Sequence, residues 1–264
     1  DSDGNSGRTR YSKQILSEVE KVATSAGVSI KSMSRYGINV ASGIIHTQKE
    51  QEATQLIIGL HRKANIIDSF LGWLTETLLS EINREVLVVK MLMPFNTIRR
   101  IVVAVPPKAE YEAGFTKWIG HLAKMSSALG CRIYFHATAE TMAYIERVVY
   151  TLPLKDKAKF NLMESWDDFM MLSAAVNYDH LLVVVSARRG SISYNKSLDN
   201  LPAQLSKYFA NNSLILLYPD QFGEHTALQA FADPMSGHIS PVSWTSYFKH
   251  NYLVALRWLR TRFK

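Results

Sequence analysis

The chain has 264 residues, 47% of them hydrophobic and 20% charged, and a formal net charge of +7. That balance is globular, fits one large domain or two of medium size, and excludes a disordered or linker-dominated chain. The positive charge favours anionic neighbours (a nucleotide, a nucleic acid or the cytoplasmic membrane face) and suits equally a basic surface with no specific partner.

Cys131 stands alone in the sequence, so it excludes an internal disulfide and a C-x-x-C metal or redox site and points to a reducing compartment. It opens the apolar segment Cys131 to Phe135, the setting of a structural thiol. No apolar run approaches the roughly 20 residues that a membrane-spanning helix needs. The polar opening, Asp1 to Gly7, lacks the apolar core of a signal peptide and reads as a loop.

In chain order, residues 8–27 carry Ile15, Val19, Val22 and Ala23 at helical spacing and stop at Gly27. Val28, Ile30 and Met33 suggest a short strand of imperfect period. Asn39 is a candidate N-cap for a helix to Glu52, with Ala41, Ile44 and Ile45 on one face. An apolar strand at 55–59 then ends in Gly59 and a basic loop containing His61, Arg62 and Lys63. A helix over 68–83 and a strand over 85–92 follow. A glycine closing a strand ahead of a basic loop and a helix is a common phosphate cradle, because backbone N–H groups and the helix start face the anion.

The second half opens with a strand from Arg100 to Val105. Helix 111–129 carries Phe115, Trp118, Ile119, Leu122 and Met125 on one stripe, and Gly130 stops it. Strand 132–137, helix 139–150, a weak strand near 159–163, a short helix from Trp166 to Val176 and the apolar strand His180 to Ser186 come next. A loop over 187–198, helix 199–210 and strand Ser213 to Tyr218 complete the half. Alternating strands and helices, with nearly continuous Val, Ile and Leu in the strands, predict an α/β fold of parallel sheets covered by helices. Residues 56–90 and 181–218 share one pattern, a divergent internal repeat. In the tail, 221–241 reads as loop. Ser246 to Lys264 reads as an amphipathic helix with Phe248, Tyr252, Leu256, Leu259 and Phe263 on one face and only basic charges on the other. Such a helix suits a membrane surface or an acidic partner, or it packs on its own domain with its basic face in water.

Several runs resemble one family: Asn39 to Thr47 (NVASGIIHT), Ile57 to Asn65 (IIGLHRKAN), Arg100 to Tyr111 (RIVVAVPPKAEY), Ser186 to Asn195 (SARRGSISYN) and Leu201 to Phe209 (LPAQLSKYF). They are similar to tandem universal stress protein-like domains, and more closely to the cytosolic C-terminal region of bacterial, Bacteroidetes-type monovalent cation:proton antiporters. The resemblance covers roughly residues 8–222. It implies two Rossmann-like, universal stress protein-like domains in tandem. The first, 1–93, lacks its N-terminal β-α-β; the second is 99–219; residues 220–264 form a loop and the basic C-terminal helix. It also implies a soluble regulatory or assembly role on the cytoplasmic face of the inner membrane. The partners would be the membrane transport domain of the same parent chain and a second copy of this one, with the basic helix near the membrane surface. The alternative is a stand-alone universal stress protein that binds an adenine nucleotide.

ATP-binding members of that family carry G-x2-G-x9-G-[ST]. Gly59 and Gly72 fit it here, while Arg62 replaces the middle glycine and Trp73 the hydroxyl. The second half's Ser186, Arg188, Arg189, Gly190 and Ser191 depart from the spacing, and Pro106 stands where an acid often meets the base. Candidate ligand residues for a nucleotide or phosphate are therefore Gly59, His61, Arg62, Lys63 and Gly72 in the first half and Ser186, Arg188, Arg189, Gly190 and Ser191 in the second, with an adenine nucleotide as the possible cofactor. The paired acids Asp167 and Asp168 point apart on a helix. The eight histidines show no zinc spacing, and no G-x-S-x-G elbow or complete P-loop occurs. The sequence thus reads as a non-enzyme. Nucleic-acid binding has no support beyond the charge.

Overall fold

The computed structural model describes residues 2–35, 39–59, 74–154 and 156–222. Helix α1 spans Ser2–Ser25, so the polar opening continues the helix instead of forming a loop. Extending an existing helix costs far less than nucleating one. Gly27 ends the segment with φ +69, a left-handed conformation that glycine adopts at no steric cost. The strand expected over 28–33 is absent. Val28 and Ile30 are exposed there, and no strand of the sheet offers them a ladder partner.

Helix α2 spans Val40–Glu50, and the Asn39 side chain caps it by accepting from the Ser42 N–H at 2.7 Å. Strand β1 is Gln55–Gly59, helix α3 is Thr75–Glu81 and strand β2 is Glu85–Lys90. In the second half, β3 is Arg100–Ala104, α4 is Phe115–Leu129, β4 is Arg132–Ala137 and α5 is Ala139–Val149. Then come β5 (Ala158–Leu162), a 3-10 helix at Trp166–Ala174, β6 (His180–Val185), a 3-10 turn at Lys196–Asn200, α6 (Leu201–Tyr208) and β7 (Ser213–Tyr218). Gly130, at φ +66, closes α4 as its composition predicts. The segment at 166–174 is a 3-10 helix; its start is fixed by a capping box between Ser165 and Asp168.

All seven strands among the described residues lie in one sheet, in the order β1-β2-β7-β6-β3-β4-β5. Every neighbouring pair is parallel except β2 and β7, which run antiparallel with Val88 opposite Leu216. That pair is the seam between the halves. The second half is a five-strand unit, β7-β6-β3-β4-β5, whose order reverses between β3 and β6. Among the described residues the first half contributes β1 and β2, and β1 lies at the edge of the sheet.

The faces of the sheet carry separate cores. On one, Val102 and Ala104 of β3 join Leu78, Ile82, Val86, Val88, Leu205 and Leu216, so this core crosses the seam. On the other, Ile101 and Val103 join Trp118, Ile119 and Leu122 of α4 and Ile145 of α5. All residues of β6 and β7 are buried, as expected for strands covered on both faces. α4 is also tied to the first half: His121 Nδ1 lies 2.8 Å from the fully buried Glu85 carboxylate, which accepts from the Gln55 amide as well. No helix among the described residues is long and apolar enough to cross a membrane. Residues 223–264, with the predicted amphipathic helix, lie outside the described residues.

Candidate functional site

In an open α/β sheet the natural ligand crevice lies beyond the carboxyl ends of the strands, where the strand order reverses. Here that place is between β3 and β6, and a contact between the loops that follow those strands bridges it. Glu112, on the connection from β3 to α4, accepts from the Ser193 N–H at 2.9 Å and from the Ser193 hydroxyl at 2.6 Å. A carboxylate thus already holds donors that a bound phosphate would use.

An open concavity lies one strand over, at the seam. A cavity of about 350 Å³ is walled by α3 of the first half and by the end of β7 and the β6–α6 loop of the second. Ser186 and Tyr218 sit in its inner wall, both buried and hydrogen-bonded to each other. Burial pushes the Tyr218 phenol up to about 12, so it keeps its proton at neutral pH. Arg188 is buried beside them. Its guanidinium donates to the carbonyls of Pro219, Ile82 (3.1 Å) and Arg84 (2.6 Å), which clips the β6–α6 loop to the strand ends on both sides of the seam. Burial lowers its pKa, and Asp220, Tyr218 and Glu112 oppose that from a distance. It pairs with no carboxylate among the described residues, and its enclosed Nε has no partner.

The mouth has the opposite character. The exposed Arg189 lies 3.5 Å from Asp199 and 3.8 Å from Glu76, joining the loop to α3. Asp199, the nearer acid, leads in raising the Arg189 pKa. Tyr194 donates its hydroxyl to Asp199 at 2.8 Å, and that bond raises the Tyr194 pKa.

Of the sequence candidates, the structure brings Ser186, Arg188 and Arg189 together on this cavity. Gly190 and Ser191 shape the loop behind it. Gly190 has φ +89, and Ser191 donates both its N–H and its hydroxyl to the Arg188 carbonyl. Gly59 ends β1 and does not line the cavity; a Cβ there would meet no described residue within 4 Å. His61, Arg62, Lys63 and Gly72 lie outside the described residues. The sequence reading missed Glu76, Tyr194, Asp199 and Tyr218, because only the antiparallel seam brings α3 against the β6–α6 loop. No group of three His, Cys, Asp or Glu able to hold a metal occurs among the described residues. Cys131 is buried, and burial raises its thiol pKa.

No protein-family model and no curated protein matches the sequence. Solved structures do match the fold. A universal stress protein from Archaeoglobus fulgidus aligns at 12% identity over 80% of this chain and 77% of its own, with a TM-score of 0.52. A protein from Pseudomonas aeruginosa assigned to the universal stress proteins aligns at 16% identity over 79% and 78%, with a TM-score of 0.53. A functionally unknown protein from the same species aligns at 16% identity over 79% and 78%, with a TM-score of 0.52. The fold is therefore a universal stress protein-like α/β architecture on a mostly parallel seven-stranded sheet.

Proposed function

We propose that this chain is a regulatory and assembly module of a monovalent cation:proton antiporter, placed at the cytoplasmic face of the membrane and acting by binding, not catalysis. The observation that carries the regulatory part is the seam. Two half-repeats share one sheet through a single antiparallel strand pair, and a cavity beside that pair is walled by both. A molecule held there contacts both halves at once and biases how they sit, which is what a regulatory domain needs. The antiporter assignment rests on the sequence runs quoted above, from Asn39 to Phe209.

The test is transport by the parent protein. Its reading frame should carry about a dozen apolar segments of roughly 20 residues ahead of this region. In everted vesicles, deleting residues 8–222 should leave cation:proton exchange measurable and change its dependence on pH or cytoplasmic solutes. A parent frame without such segments sinks the antiporter reading. It would favour the alternative, a stand-alone universal stress protein that binds an adenine nucleotide, which the likeness in fold supports.

A further inference from the structure

The seam carries an internal two-fold. Val88 faces Leu216, and the ladder repeats about that pair: Val86 meets Tyr218, and Lys90 meets Leu214. The outer strands keep the relation, because Gln55 stands beside Glu85 as Leu181 stands beside Ser213. β1 is therefore the counterpart of β6, and Ile57 the counterpart of Val183. On its far edge β6 pairs with β3, with Ile101 beside Leu181 and Val103 beside Val183. Among the described residues the same edge of β1 is free. The preceding elements correspond as well. In the second half α5 leads into β5, then the 3-10 helix at 166–174 and β6, and two strands, β3 and β4, separate β5 from β6 in the sheet. In the first half α1 leads into the segment 28–33, then α2 and β1. That segment and the residues after it are tied to α2, where Lys31 donates to Gln51 at 2.9 Å and Arg35 pairs with Glu50 at 2.5 Å. No described strand separates 28–33 from β1.

The surfaces that those two strands cover in the second half are bare in the first. Helix α5 buries Met142, Ile145 and Val149, whereas Ile15, Val19 and Val22 of α1 are 41%, 49% and 68% exposed. Val183 is fully buried and Ile57 is not. The strands of the second half run between α5 and the 3-10 helix, which belong to opposite cores. Between α1 and α2 lies instead an open groove of about 1100 Å³, lined by Val19, Ile30, Val40, Ile44 and Leu56. An uncharged strand with a free edge is a template for strand addition. We infer that the first half is the acceptor for one β-α-β unit, supplied by the stretch of the parent chain that leads into α1. Its first strand adds parallel to β1, in the register that β3 holds on β6, and its second fills the space toward 28–33. The first strand is apolar on both faces, as Ile101 to Ala104 are buried, and the second alternates as β4 does. A second copy of the chain supplies no such unit. Its own β3, α4 and β4 lie within its sheet and core, and antiparallel pairing of β1 with β1 would leave the α1 stripe bare.

The experiment is hydrogen exchange on the 264-residue chain and on the same chain extended by the roughly 40 parent residues ahead of it, the length of such a unit. The extension is expected to slow the amides of β1 and of Ile15 to Val22 at least ~10-fold at every protein concentration. The same stretch added as a separate peptide should give the same protection. Ile57→Thr keeps β-branching, so it should leave the urea midpoint of the 264-residue chain where it is and lower that of the extended chain. Unchanged exchange at β1 with both the extension and the peptide would overturn the inference. So would protection of β1 that rises with protein concentration in the 264-residue chain, since a second copy would then hold the edge. A parent frame with this unit but no membrane segments removes the antiporter reading and leaves the acceptor standing; membrane segments without protection at β1 do the reverse.

Discussion

Gly114 shows how one residue sets the position of an element. It is the N-cap of α4, and its backbone lies directly against the segment that leaves β7. A Cβ at this position would come within 2.6 Å of the N and O atoms of Asp220. Asp220 cannot yield easily: it is buried, paired with Lys117, and accepts from the Phe222 N–H at 2.9 Å. Gly114→Ala is therefore expected to destabilise the protein by about 1–3 kcal/mol, the usual cost of overpacking, read as a lower urea midpoint at unchanged slope. The glycine is visible in the sequence; the reason for it is not, because Asp220 lies 106 residues away in the chain. Asn39 and Gly130 were legible, since a cap and a helix stop act on their own neighbours. Arg188 was legible only as a basic loop residue. Its carbonyl partners on both sides of the seam make it a clip, and those partners exist only once β2 and β7 have paired.

At the scale of elements, the strands differ in how many neighbours protect them. β6 and β7 are hydrogen-bonded on both edges and buried throughout. Among the described residues β1 pairs with β2 on one edge only; it has no charged residue in its five positions and leaves Ile57 62% exposed. Natural edge strands usually carry a charge, a proline or a bulge that discourages further pairing. Hydrogen exchange should accordingly find the slowest amides in β6 and β7, and fast exchange at the outward-facing amides of β1. Equal protection of β1 and β7 would show that another strand covers that edge in solution. The composition of the strands announced their burial. The rank of each strand in the sheet was not legible, because edge and centre are decided by pairing.

At the scale of the molecule, the core that crosses the seam joins the elements from α2 to β7 into one cooperative body. Heating should give a single unfolding transition for it. The transition should also move with pH. Burial lowers the pKa of both His136 and His180 below the ordinary 6.5; Asp179 partly opposes this for His180, and Arg100 adds to it. The unfolded chain takes up protons near pH 6.5, while the folded one takes them up only at lower pH. Between those values the unfolded state holds more protons, so stability falls as pH drops through about 6.5. The melting temperature is expected to be lower at about pH 5.5 than at about pH 7.5, and His180→Gln should flatten that slope. A melting temperature flat across that range would show that neither histidine is held neutral by the fold.

The sequence by itself determined most of the local parts: the strands and helices that apolar period marked from Asn39 onward, and the caps at Asn39 and Gly130. These depend on residues a few positions apart, so they survive reading in one dimension. It also carried Ser186, Arg188 and Arg189 as ligand candidates, because charge and hydroxyls after a strand are a local signal. Tertiary structure alone decided that the halves share one sheet, that Glu112 ties the loop after β3 to Ser193, and that a cavity opens at the seam. Each of these joins residues far apart in the chain: Glu76 and Asp199 meet at Arg189 through the antiparallel register of β2 on β7, and Glu112 meets Ser193 through the pairing of β3 with β6. Apolar strands of equal length could pair in several registers; the clip at Arg188 and the core across the seam select this one.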